Sequence, residues 1–261
     1  MTFVSSDHQD SRTGMPEYLK LERAARDSYA MDLEELQTPY LIEAEWSLLN
    51  RGLEQFSGMV LEAGCGTGRV ASRLAAAGVR VVGIDLSGAS LLKFRTRRLM
   101  KNISLAQGEL TTMPIRSQAF ERVYCVQVIP SLLEFADVLA ALKELARVVR
   151  RPGTVLLTAW NYHLADRLKR TKTQQGAGAD LHYRKFEPGE LYALLRRAFP
   201  TADLDVWTSV HFHRKPLKLV ARLFDRLPAQ VLALDRLLER TPFSRYLGHL
   251  VCARATFPPT R

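Results

Sequence analysis

Cysteine is scarce in this 261-residue chain: Cys65, Cys125 and Cys252 lie far apart and form no CxxC pair. An odd, dispersed set supports neither a disulfide framework nor a zinc site, and it suits a reducing compartment. Also missing is any apolar run approaching the roughly 18 to 20 residues that a membrane-spanning helix needs. Charges interrupt even the leucine-rich stretch near the C-terminus. The first fifteen residues, MTFVSSDHQDSRTGM, have no apolar centre of the kind that marks a secretory signal, and their acids Asp7 and Asp10 are out of place in a transit peptide. They predict a short disordered tail on a cytoplasmic protein. Acid, finally, is thin toward the C-terminus. Residues 211–261 carry 10 basic and 3 acidic residues and residues 59–210 carry 22 and 13, whereas residues 1–58 carry 5 and 11. The net charge of +10 therefore lies away from the N-terminus, and it favours anionic partners: nucleic acid, an anionic membrane surface or an acidic substrate.

What is present is an ordinary globular composition, 47% hydrophobic and 25% charged, with no internal repeat. From about residue 59 to residue 160, short β-branched runs alternate with amphipathic stretches, the pattern of a parallel sheet flanked by helices. The runs are 59–63, 80–84, 103–107, 122–126 and 154–160. Gly78 reads as a helix stop and Ser87 as a helix N-cap, while Val138, Leu142, Leu145 and Val149 form one stripe of a helix ended by Arg151-Pro152-Gly153. Residues 16–58 read as an N-terminal helical cap with Leu33, Leu36, Tyr40, Ile42 and Trp46 as buried positions. Residues 162–185, polar and basic around QQGAGAD, read as a mobile connection. A helix, EPGELYALLRRAF, and an alternating strand, TADLDVWTSV, follow. Residues 211–247 then form a helical insertion divided at Pro228, before a last strand near 249–257 and a tail.

Chemistry concentrates in VLEAGCGTGR, which places Glu62, Gly64, Cys65, Gly66 and Gly68 at the end of the first strand. Glycines at such a turn let the backbone bend sharply and let a ligand approach closely. Their spacing is G-x-G-x-G, not the G-x-G-x-x-G of a dinucleotide site, and Glu62 beside the loop would repel phosphate. A cationic ligand suits it better. The segment resembles the first motif of class I S-adenosylmethionine-dependent methyltransferases, whose cofactor carries a sulfonium and an ammonium group. That resemblance implies a Rossmann-like seven-stranded, mostly parallel sheet with helices on both faces, spanning residues 59–210 and completed by residues 248–261. It also implies roles along the chain. Asp85, with Leu86 behind it, stands where the family's carboxylate accepts from the ribose hydroxyls. Glu109 and Leu110 stand where an acid accepts from the adenine amino group, and Gln127 and Val128 border the methyl donor. Cys65 reads as a small packing residue within the loop, not a nucleophile. No metal ligand set is found.

Methyl transfer from a sulfonium needs orientation first, and a base only where the attacking atom must lose a proton. Tyr162 and His163, just past the fifth strand, are the favoured candidates; His182, Tyr183 and Tyr29 are others. Within residues 211–247, Leu219, Val220, Leu223, Phe224 and Leu227 form an apolar stripe beside Lys218, Arg222 and Arg226. Such a helix can lie on an anionic membrane or close over a substrate pocket. The sequence therefore predicts a small or lipid-like, partly apolar acceptor, methylated on oxygen, carbon or nitrogen, with a tRNA or other nucleic-acid base as the alternative.

Overall fold

The computed structural model describes residues 39–50, 58–96, 101–175, 182–211, 227–239 and 241–259, together with residues 20, 23, 24 and 27. A helix, α1 (Pro39–Leu49), precedes the alternating region. That region runs β1 (Met59–Ala63), α2 (Arg69–Ala76), β2 (Arg80–Asp85), α3 (Gly88–Thr96), β3 (Ile103–Gln107), β4 (Phe120–Val126), α4 (Phe135–Val148) and β5 (Val149–Trp160). Short 3-10 turns at Leu110–Thr112 and Ile129–Ser131 follow β3 and β4. Then come α5 (Leu164–Lys169), β6 (Thr173–Gln175), β7 (His182–Arg184), α6 (Pro188–Ala198), β8 (Asp203–Ser209), α7 (Pro228–Leu238), α8 (Ser244–Leu247) and β9 (Leu250–Phe257).

Seven strands form one sheet in the order β3-β2-β1-β4-β5-β9-β8, with β9 antiparallel to both neighbours and the other pairings parallel. Helices cover both faces. On one, α4 and α6 bury Val138, Leu142, Leu145, Leu191 and Leu195 against β4, β5 and β9. On the other, α2 and α3 bury Val70, Leu74, Leu91 and Phe94 against β1 and β2. Period-2 alternation divides β9 between clusters: Val251, Ala253, Ala255 and Phe257 join the first core, while Leu250 and Cys252 meet Tyr40 and Leu48 of α1 and Val231 of α7. A fully buried leucine such as Leu74 contributes about 2 kcal/mol. Among the described residues no helix is long and apolar enough to cross a membrane.

Two local stops follow the sequence signals, whereas the expected turn at Arg151-Pro152-Gly153 lies inside β5 and Val149, expected on the helical stripe, opens that strand because the chain pairs with β4 from Val149 onward. Gly78 ends α2 with φ of 84°, and the Ser87 hydroxyl accepts the Ser90 N–H at the start of α3, 3.0 Å away. The stretch 162–185 departs from expectation, because within it lie α5 and the antiparallel pair β6–β7. Partners distant in sequence order it. Lys185 Nζ meets the buried Asp166 carboxylate at 2.6 Å, and the Tyr183 ring stacks on Trp160 with centroids 6.0 Å apart. Residues 176–181, with much of QQGAGAD, lie outside the described residues, as do Leu33 and Leu36 and the apolar stripe from Leu219 to Phe224. Of the remaining expected cap positions, Tyr40 is buried, and Ile42 and Trp46 are half-buried.

Candidate functional site

Strand order reverses between β1 and β4, so the loops leaving their carboxyl ends diverge and open a crevice. A cleft of about 160 Å³ lies there, reached by the glycine loop, the ends of β2 and β4, and the turns after β3 and β4. Gly64, Gly66, Asp85, Leu86, Glu109, Leu110, Gln127 and Val128, all expected from the sequence, line it. Arg69, Thr111, Ser131, Leu132, Trp160 and Tyr183 line it as well. A roomier cavity, about 280 Å³, opens toward the amino ends of β4 and β5; Arg254 and Asp205 in its wall pair at 2.9 Å, and among the described residues its lining comes from strands and α1, without the glycine loop or the turns after β3 and β4. Chemistry, not volume, selects the first.

Glycine is required at the loop for a structural reason. Gly64 has φ of 82°, and a Cβ there would lie 2.2 Å from Val128, the residue that borders the cleft from β4. The loop backbone is in turn fastened by Asp85, whose Oδ2 accepts the Gly66 N–H at 2.7 Å and whose Oδ1 accepts the Ser87 N–H at 2.9 Å. These two bonds hold the carboxylate at a fixed angle at the end of β2. Glu109 Oε1 accepts from the Thr111 hydroxyl, which steadies the acid at the other end of the cleft.

Beneath the loop is a charge cluster. Glu62 is buried, its Oε2 has no hydrogen-bond partner, and burial pushes its carboxyl up to about 8, outweighing the Arg69 guanidinium and the Ala71 backbone N–H, which pull it down. Glu45 of α1, fully buried, accepts from the Arg69 guanidinium through Oε2 and from Gln127 Nε2 through Oε1 at 2.8 Å. Gln127 has the left-handed φ of 58°, held there by its N–H bonding to Thr158 O at 3.0 Å and Thr158 Oγ1 at 3.2 Å. A strained non-glycine residue of this kind marks a place the surrounding structure over-determines. No sequence signal pointed to Glu45. Its heptad neighbours are apolar, and only the docking of α1 brings it to residues 24 and 82 positions away.

Three expected cofactor residues do not reach the cleft wall. Glu62 sits below the loop. Cys65 turns its sulfur into the core against Gly83, where burial raises its thiol well above the usual range and leaves a packing role. Gly68, with φ of 88°, faces Phe94. Nor does either favoured base line the cleft. His163 caps α5, its Nδ1 accepting the Asp166 N–H at 3.3 Å, and the buried Tyr162 ring lies beneath Arg167 and Lys172. The strand end places Trp160 at the cleft instead, and beyond it the chain leaves the strand, with Tyr162 N–H donating to Phe186 O at 2.9 Å and His163 capping α5. Tyr183, the lesser sequence candidate, is the one that arrives. Of the insertion at 211–247, no described residue lines the cleft; α7 packs against α1 and β8.

Residues 60–153 match the family model for a methyltransferase domain. The matched segment is a methyltransferase domain. The chain is also similar to a ubiquinone biosynthesis O-methyltransferase of Alkalilimnicola ehrlichii, 29% identical over 102 residues, covering 39% of this chain and 41% of that protein. A protein of Mycolicibacterium smegmatis described as a probable S-adenosylmethionine-dependent methyltransferase is 30% identical over 139 residues, covering 53% of this chain and 50% of its own. The chain thus spans half or less of the length of these curated relatives. A solved S-adenosylmethionine-dependent methyltransferase of Thermotoga maritima has the same fold, with a TM-score of 0.60 at 19% identity, covering 92% of this chain and 98% of the other. The match to the methyltransferase domain covers the glycine loop, Asp85, Glu109 and Gln127, the residues that build most of the cleft.

Proposed function

We propose that this chain transfers a methyl group from S-adenosylmethionine to an oxygen, carbon or nitrogen of a small, partly apolar acceptor. The observation that carries the reading is the surplus of acid at the glycine loop. Glu45, Glu62 and Asp85 cluster there; the largely buried Arg69 guanidinium pairs with Glu45 and draws on Glu62, and Glu62 Oε2 is left without a hydrogen-bond partner. Such a site repels phosphate and fits a ligand bearing positive charge. Asp85 would hold the sugar diol, Glu109 and Leu110 the base, and the loop backbone with Gln127 the amino-acid end. When bound, the cofactor supplies an electrophilic methyl group on a sulfonium.

What the chain itself adds is position and a dry wall. Val126, Val128, Leu132 and the Trp160–Tyr183 stack line the part of the cleft away from Asp85, and their apolar surface favours a flat or partly apolar acceptor. Holding donor and acceptor in line supplies several kcal/mol of barrier reduction, about 7 or more in the best-oriented systems. Tyr183 is the side chain on that wall with a proton to give or take. Calorimetry with S-adenosylmethionine should show binding, and Asp85→Ala should weaken it tenfold or more, about 1.4 kcal/mol. Equal affinity for the variant removes Asp85 from the site. Transfer from labelled donor into a phenol panel, a lipid extract and bulk tRNA separates acceptors; label in tRNA alone overturns the small-molecule reading.

A further inference from the structure

On α5, Leu164 and Leu168 stand exposed one turn apart, Leu168 at 79%; beside α8, Phe243 at 68% and Leu247 repeat the same four-residue spacing. Monomeric surfaces seldom show paired large apolar side chains on adjoining helices without a use for them. The two helices do adjoin. Arg167 of α5 lies over the Tyr246 ring of α8 at 5.5 Å, and Asn161, at the end of β5, donates to Arg245 O at 3.0 Å and Gly248 O at 2.8 Å. α7 joins them through His211, whose Nδ1 meets Asp235 at 2.7 Å and whose Nε2 meets Ser244 at 2.8 Å.

Exposed charge on this surface is predominantly basic, although half-buried Glu187 pairs with Arg167 at 3.0 Å and half-buried Glu190 with Lys172 at 3.5 Å. Lys169, Arg170, Lys172, Arg236 and Arg245 are exposed. The described acids of the same stretches are engaged with the protein: Asp166 with Lys185 at 2.6 Å, Asp235 with His211, and Glu239 with the Ser209 hydroxyl at 2.6 Å. Leucine and phenylalanine tips ringed by lysine and arginine, with no exposed acid among these residues, match an anionic lipid surface. The apolar tips enter the headgroup boundary while the cations meet phosphate. A protein partner would have to be acidic and apolar at once.

We propose that α5 and α8, with the flank of α7, dock on an anionic bilayer. The stripe that the sequence placed at residues 219–227 is a different set of residues. α5 begins four residues after Trp160 of the cleft wall, so the docked face is close in the chain to the site. The test uses the full chain and reads binding alone, so it stands apart from the methyl-transfer assignment. Sedimentation with vesicles of phosphatidylglycerol and phosphatidylcholine should carry the protein down at low salt and release it at high salt, and pure phosphatidylcholine should not carry it. Leu168→Glu and Phe243→Glu should each reduce the bound fraction tenfold, with thermal unfolding unchanged because both side chains are already in water. Arg245→Glu should act in the same direction. Unchanged binding by all three variants overturns the proposal, as does equal binding to neutral vesicles. So does self-association in sedimentation velocity that Leu168→Glu abolishes, which would assign the face to a second copy of the chain.

Discussion

Glu62 shows how far one residue's chemistry depends on its surroundings. Its carboxyl is held near 8 by burial, so in the empty protein at neutral pH it keeps its proton, whereas an unfolded chain loses that proton near 4.5. The unfolded state then binds fewer protons between these values, and stability falls as pH rises across that window. A positively charged ligand reverses the preference and drives the proton off. Titration calorimetry at pH near 7 in buffers of different ionisation enthalpy should record release of about one proton per S-adenosylmethionine bound, and none for Glu62→Gln. Equal release from both proteins would place the titrating group elsewhere. The same substitution should flatten the pH dependence of the empty protein's unfolding midpoint between about 5 and 8. Glu62 itself was legible from its place beside the glycines; its protonation was not, because desolvation depends on atoms contributed by α1 and α2.

At the scale of the element, α1 is the piece whose role the sequence hid. Its apolar residues Tyr40, Ala44 and Leu48 recur four apart and announce a packed face, and Glu45 lies among apolar neighbours with nothing nearby in the sequence to name the partner it meets. Docking turns it inward onto Arg69 and Gln127, so an N-terminal helix becomes part of the cleft's support. Glu45→Ala leaves a buried guanidinium without its carboxylate, which costs about 3 kcal/mol of stability. It should also weaken S-adenosylmethionine about tenfold, because the Gln127 side chain loses its anchor. A variant with unchanged affinity and reduced melting temperature would confine Glu45 to folding. The βα units were more legible. Gly78, Ser87 and Val138, Leu142 and Leu145 of the stripe on α4 each state a local rule that the surrounding structure obeys; Val149 instead opens β5. The segment after β5 was misjudged for the opposite reason, since its order comes from Lys185, Asp166, Trp160 and Tyr183, contacts that local polarity does not reveal.

For the molecule as a whole, Asp235 is a main tie between the insertion before β9 and the sheet, beside Glu239 on the Ser209 hydroxyl. Burial alone would raise Asp235, but the His211 side chain and the His211 and Val210 backbone N–H groups accepted at 2.7 and 3.0 Å pull it below its ordinary 3.8. Stability from this group is present above that value and is lost as pH falls through its lowered one. Asp235→Ala should cost about 3 kcal/mol in denaturant unfolding, with the loss of α7 packing visible at Tyr40 and Val231 in the same cluster. A shift under about 0.5 kcal/mol would mean that apolar contacts alone seat the insertion.

By itself the sequence determined the parallel α/β sheet, the glycine loop with its acids, and the basic character of the C-terminal half, because these are set by periodicity, backbone permissiveness and charge within short windows. Only the tertiary structure decided which side chains meet: that Glu45 supports the loop, that Trp160 and Tyr183 reach the cleft while Tyr162 and His163 do not, and that Cys65 packs inward. Those outcomes depend on the relative placement of elements 20 to 80 residues apart, and burial against distant partners, not local pattern, chooses the direction in which each side chain points.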